Sequence, residues 1–321
     1  MLYEMKIIFG IIASDDEIYS EFKNVWIKAI VAFKKTNLHN LIDFYFLYSD
    51  KDKISKTISF VDTKQQLYVD FYDKDINESV TKTILNRTVA FFNHIKDSYK
   101  LNCQENYDRY KDDGMFFVRT NLSTMFNFNM LIDWFKDKPK TAFFGGSLNG
   151  FYNGFYSTFS GTNLVFTLDV MLHLYYNKHR IEIDKYFEDE AISQRVLYDF
   201  DLNVINMKRI DFIEMEKVVI EELNHVWPAT PNSVIYHKTK IGDNHVFCFR
   251  FKTFNRQNDI NAMKLIVDKM FDDNANFNLT TFIDDYCNSY NPPLPKREEA
   301  ADYGTLYSEK PFKIIIIKRL N

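Results

Sequence analysis

The segment KIIFGIIAS, residues 6–14, is a continuous apolar run that stops at two acids, Asp15 and Asp16. A run without polar alternation reads as a strand covered on both faces, so helices should lie on both sides of its sheet. The next residues supply one. Phe22, Val25, Trp26, Ala29, Ile30 and Phe33 recur at spacings of three and four, an amphipathic helix that Asp15 or Asp16 would cap. LIDFYFLYSD, residues 41–50, then reads as a second strand. Strand, helix and strand in that order make a β-α-β unit with parallel strands. This opening commits the chain to an α/β architecture.

The later pattern continues the theme. QLYVDFYD (66–73) reads as a third strand, and NESVTKTILNRTVAFFNHIKDSY (77–99) as a long helix opened by Asn77 or Ser79. GMFFVRTN (114–121) is a fourth strand, and STMFNFNMLIDWFKD (123–137) a helix capped at Ser123 or Thr124. Five of the nine glycines fall between 145 and 161, where the backbone must turn sharply or approach something closely. Helices follow over 166–178 and over 183–201, the second containing the acids Glu188, Asp189 and Glu190. Residues 203–215 and 244–252 have strand character, 259–271 helical character, and 311–320 form a final strand after the surface excursion NPPLPKREEAADYG. The simplest organisation is one α/β domain over 1–277, a mixed, mostly parallel sheet flanked by helices, with a C-terminal extension over 278–321 packed on it.

Composition narrows the function classes. A hydrophobic share of 46% excludes a disordered chain, and the 31 Phe and 20 Tyr beside few Gly and Pro suggest an AT-rich coding bias. A net charge of −4 gives no general attraction to nucleic acid or anionic membrane, so neither is expected as a partner. Three widely spaced cysteines, Cys103, Cys248 and Cys287, lack metal-ligand spacing and suit a reducing, cytoplasmic compartment. The apolar run at the start is too short for a signal peptide or a membrane span, and the chain is expected to be soluble and not secreted.

In open α/β sheets, ligands bind beyond the carboxyl ends of the strands. The polar residues there are Ser14, Asp15 and Asp16 after the first strand, Ser49 and Asp50 after the second, Asp70 and Asp73 around the third, and Arg119, Thr120 and Asn121 after the fourth. No glycine-rich phosphate loop follows the first strand and no Walker motif occurs, which disfavours dinucleotide and P-loop binding. Asp112 and Asp113 precede the fourth strand and read as a solvated turn at the wrong end of the sheet.

YVDFYDKDINESVTKTILNRTVAFFNHI resembles the D-x-x-D-x-Y-x-N-L-T-x-K-T segment of the galactosyltransferase and fringe-like glycosyltransferases, with Asp70, Asp73, Asn77, Thr81, Lys82 and Thr83 at matching positions. FSGTNLVFTLDV is similar to that family's S-G-x-x-x-x-x-S-x-D segment, through Ser160, Gly161, Thr167 and Asp169. Glu188-Asp189-Glu190 stands where the family has E-D-V. The four landmarks keep the family's order across roughly residues 5 to 215, and VRTN occupies the place of the D-x-D motif, as in a viral or bacterial offshoot. The resemblance implies a GT-A-like, Rossmann-like fold. It also implies transfer of a sugar from a nucleotide-diphosphate sugar, a UDP-sugar favoured, to a glycan or protein hydroxyl with inversion.

It assigns Asp189 as the base that takes the acceptor's proton, with Glu188 in reserve, and sets Lys82 facing the nucleotide. A D-x-D motif would hold Mn or Mg, which neutralises the diphosphate. Arg119 and Thr120 offer no carboxylate and Asn121 only one neutral oxygen, a weak metal ligand. Two readings of Arg119 stay open. It supplies positive charge to the diphosphate directly, making the metal dispensable, or it pairs with an acid such as Asp189 and organises the cleft.

Arg250 and Lys252 share one face of a late strand and form a candidate diphosphate clamp; Arg256 reads rather as part of a solvated edge strand, and His237 as an ordinary polar residue. At the first strand end, Ser14, with Asp50 after the second, completes the donor site. The glycine-and-aromatic segment, with Asn149 and Asn153, suits a sugar. A nucleotidyltransferase would want a basic glycine-rich loop after the first strand, which IIASDDEIYSEF lacks. A catalytically degenerate glycan-binding or assembly module is the alternative, supported by the missing D-x-D.

Overall fold

The computed structural model describes residues 5–50, 56–62, 65–74, 80–146, 160–183, 188–199, 203–206, 209–213, 248–252 and 256–271. The strands are β1 (Lys6–Ile12), β2 (Ile42–Asp50), β3 (Lys56–Asp62), β4 (Gln65–Lys74), β5 (Met115–Asn121), β6 (Thr124–Phe126), β7 (Phe143–Gly146), β8 (Asn163–Thr167), β9 (Asn203–Asn206), β10 (Arg209–Ile213) and β11 (Cys248–Lys252). The helices are α1 (Glu17–Lys34), α2 (Val80–Ser98), α3 (Gln104–Asp113), α4 (Phe128–Phe135), α5 (Leu168–Tyr176), α6 (Glu188–Asp199) and α7 (Arg256–Met270).

The main sheet has the order β3-β4-β2-β1-β5-β8-β7-β9, and β10-β11-β6 form a second, three-stranded sheet. β4, β2, β1 and β5 are mutually parallel, β3 and β8 run against them, and β7 and β9 return to the first direction. The mixed, mostly parallel sheet is thus as the sequence predicts. β1 has β2 on one side and β5 on the other, so the chain reverses its direction of winding at β1. Such a switch point opens a crevice beyond the strand ends.

Strand alternation sends Ile7, Phe9 and Ile11 into one core with α1, α4 and α7, and Ile8 into the other with α2, α5 and α6. Gly10 also faces the second core. A Cβ there would stand 2.8 Å from the Phe91 ring of α2, so the missing side chain lets α2 lie close on β1. Trp26 of α1, fully buried, donates its indole hydrogen to the Leu122 carbonyl at 3.1 Å and pins the chain just after β5.

Several boundaries differ from expectation. The helix placed over 123–137 is the short strand β6 followed by α4, whose cap is Asn127, accepting from the Met130 amide at 3.2 Å. Asp16 occupies the N-cap position of α1, but its carboxylate takes the Ser14 hydroxyl and no helix amide. Asp112 and Asp113 are the last residues of the helix α3 rather than a turn, and they precede β5. β8 precedes α5, and the single strand expected over 203–215 is β9 and β10, in different sheets. β3 was not anticipated. The proposed extension and its final strand, with Asn77, Ser79, Asn149, Asn153, His237 and Cys287, lie outside the described residues. Cys103 and Cys248 are free thiols. Among the described residues, no helix is long and apolar enough to cross a membrane.

Candidate active site

Arg119 is the fifth residue of β5 and shares the face of Phe117, one step beyond the last core side chain. That face looks toward α6, whose first residue is Glu188. Arg119 Nη2 donates to Glu188 Oε2 at 2.7 Å, with the two side chains only 8% and 6% exposed. The next residue, Asp189, stays partly exposed and accepts the Gly161 amide on Oδ2 at 2.7 Å and the Glu190 amide on Oδ1 at 3.1 Å. Gly161 lies between the groups. A Cβ there would be 2.6 Å from Arg119 Nη1 and 3.2 Å from Asp189 Oδ2, so only glycine lets both approach.

Burial pushes the Glu188 carboxyl up from 4.5 to about 7; Arg119 opposes the shift and Asp189 adds to it. Arg119 Nε and Glu188 Oε1 are buried without a hydrogen-bond partner among the described residues. Thr88 of α2 stands beside Glu188, its hydroxyl donating to the Ile84 carbonyl at 2.9 Å.

A polar cluster finishes the strand ends. Thr120 donates to the Thr162 carbonyl at 2.6 Å, and the Ser160 and Thr162 hydroxyls meet at 2.9 Å. Asn121 Oδ1 accepts the hydroxyls of Ser123 at 3.1 Å and Thr124 at 3.0 Å. These hydroxyls, read from sequence as helix caps, instead fix Asn121. Among the described residues, Asn121 offers a divalent cation at this strand end only one neutral oxygen, and that oxygen already accepts two hydroxyls.

β11 arrives from far along the chain and pairs with β6, placing Arg250 opposite Thr124, while the Phe251 amide donates to the Ser123 carbonyl at 2.8 Å. Arg250 is therefore brought to the turn that follows Asn121. Of Lys252 and Asp50 the backbone is described and the side chain is not. Arg256 is no strand-end cation. It opens α7, donates to the Phe251 carbonyl at 3.0 Å and pairs with the fully buried Asp259 at 2.6 Å.

Ser14, half-buried, follows β1 and donates to Asp16. Lys82 lies in the first turn of α2, half-buried. Asp70 is on the opposite face of the sheet from Arg119. It accepts Lys23 at 2.6 Å, and Lys23 stands 4.9 Å from the Phe46 and Tyr48 ring centres. The Asp169 carboxylate takes the Thr167 hydroxyl at 2.6 Å and the Ala142 amide at 2.8 Å.

Sequence reasoning missed Arg87. Buried on α2, it donates through Nη1 to the carbonyls of Ala13 at 3.0 Å and Leu47 at 3.2 Å, tying together the ends of β1 and β2. The signal was present: Arg87 and Thr88 are polar residues among the apolar positions Leu85, Val89, Phe91 and Phe92. Comparison with known families and with curated proteins returns no match for this chain.

Proposed function

We propose that the protein is a GT-A-like glycosyltransferase that moves a sugar from a nucleotide-diphosphate sugar to an alcohol of a glycan or protein. The observation that carries this reading is the meeting of Arg119, Asp189 and Gly161 beside the β1/β5 switch point. These three come from separate landmarks of the sequence resemblance, and Gly161 bonds Asp189 while lying close against Arg119. Asp189 is the base. Its carboxylate is aimed by two backbone amides, remains partly exposed, and keeps free lone pairs for an acceptor hydroxyl. Arg119, held by Glu188, is a positioning residue that fixes the start of α6 and hence Asp189. Arg250 and Lys252 supply cationic charge to the diphosphate from β11.

The test is release of nucleoside diphosphate from a panel of nucleotide sugars, with manganese and with EDTA. Turnover with at least one donor, retained in EDTA, is expected. Absence of turnover with every donor, alongside saturable binding, supports the second reading: a degenerate fold that binds glycans without transferring them. The engaged oxygen of Asn121 and the neutralised charge of Arg119 favour that alternative.

A further inference from the structure

β3 is, among the described residues, the outer edge of the main sheet, and all seven of its residues are exposed. Among the described residues, the exposed large apolar side chains are Ile58, Phe60, Val61 and Tyr176, so three of the four sit on this strand. Edge strands are ordinarily blunted by charges, proline or bulges. TISFV, the interior of β3, contains no charge or proline, Lys56 and Asp62 stand at its two ends, and its pairing with β4 shifts register between Phe60 and Val61.

That sequence is complementary to itself in one antiparallel register. Centred on Ser59, pairing sets Lys56 against Asp62, Thr57 against Val61 and Ile58 against Phe60. Each is a favourable cross-strand pair, and the charges match at both ends. Moving the centre to Phe60 would set Ile58 against Asp62 and undo the match of the end charges across the junction. The strand is also held ready. Phe60 stacks on Tyr68 with ring centres 4.4 Å apart, and the Lys56 ammonium lies 4.7 Å from the Tyr72 ring centre, so both face the α1 side of the sheet. An Ile58–Phe60 contact between copies would extend the same apolar face across the junction.

We propose that β3 pairs antiparallel with β3 of a second copy of this chain, the two-fold axis passing through Ser59, so that two sheets join edge to edge. The proposal is independent of the enzymatic reading.

Sedimentation of the full chain over a dilution series should show a monomer–dimer equilibrium. Ile58→Lys should abolish the dimer while circular dichroism and the melting temperature stay near wild type, since the side chain is exposed. Lys56→Asp or Asp62→Lys alone should weaken the dimer by about tenfold, and the double exchange should restore it. With Cys103 and Cys287 changed to serine, Ser59→Cys should oxidise to a covalent dimer, because facing residues of an antiparallel pair fall in disulfide range. A monomer at every concentration, or a dimer indifferent to Ile58→Lys and to the charge exchange, overturns the proposal. So does a failure of Ser59→Cys to cross-link in a chain that dimerises.

Discussion

Arg119 of β5 and Glu188 of α6 form a 2.7 Å ion pair with both side chains more than nine-tenths buried. Burying the two charges carries a desolvation penalty that offsets much of their attraction, and the high Glu188 titration point expresses this. The pair is therefore poorly explained as a source of stability. Its value lies in fixing where α6 begins, with Asp189 the next residue.

A pH dependence follows. Glu188 titrates near 7 in the folded chain and near 4.5 when unfolded, so between those values the native state holds the extra proton. Its contribution is fully present below about 4.5 and is lost as pH rises through 7. Urea unfolding of the wild type and of Glu188→Gln should show the wild type losing roughly 3 kcal/mol relative to the variant from pH 4 to pH 8. Parallel curves would remove the assignment.

Gly161→Ala tests the closeness of the site. Its methyl group would meet Arg119 Nη1 at 2.6 Å, well inside contact distance, so the guanidinium or the 160–162 turn must move. A destabilisation of about 1–3 kcal/mol is expected by denaturant titration. Transfer should fall further than stability alone explains at temperatures where the variant is fully folded. An unchanged protein would mean that the turn relaxes freely.

The legible parts of the fold were those whose residues follow one strong period. β1, α1 and β2 were readable because a buried strand and an amphipathic helix each leave a repeated apolar pattern, and the same holds for β5 and α7. β6 was read as helix because Phe128, Leu131, Ile132 and Phe135 extend a helical spacing into it, and nothing local announces that Thr124–Phe126 will pair with β11. β3 was missed because an exposed edge strand has no buried face to produce alternation. At the site, convergence of Arg119 with the α6 acids was legible, but which acid it meets was not. Successive residues at a helix start point about 100° apart, and only packing of α6 on the sheet selects Glu188 over Asp189. Arg256 shows a related limit: a basic residue after a strand reads as solvated, and nothing local announces its buried partner Asp259.

Asp70, matched to a landmark of the resembled family, faces Lys23 and a set of aromatic rings on the α1 side. Burial raises its titration point and Lys23 opposes that rise. Lys23→Met should destabilise by about 3 kcal/mol near neutral pH, with partial recovery in acid as the stranded carboxyl takes a proton. Combining it with Asp70→Leu should return most of the loss, since the second change removes the orphaned charge. A double variant as unstable as the sum of the singles would show that the two residues act separately.

Asp189→Asn separates catalysis from architecture at the centre of the site. The amide is isosteric, and its oxygen can still accept the Gly161 or the Glu190 amide, so the turn should survive with little change in melting temperature. It lacks the basicity to take a proton from an attacking alcohol. Loss of general-base assistance should lower kcat by about a hundredfold or more while the KM for the donor sugar nucleotide stays close to wild type. Glu188→Gln, measured beside it, should lower kcat less, because its carboxylate is turned inward to Arg119. If Glu188→Gln proves the more damaging of the two in well-folded proteins, the base is Glu188, and the carboxyl that titrates near 7 is the one that receives the acceptor's proton.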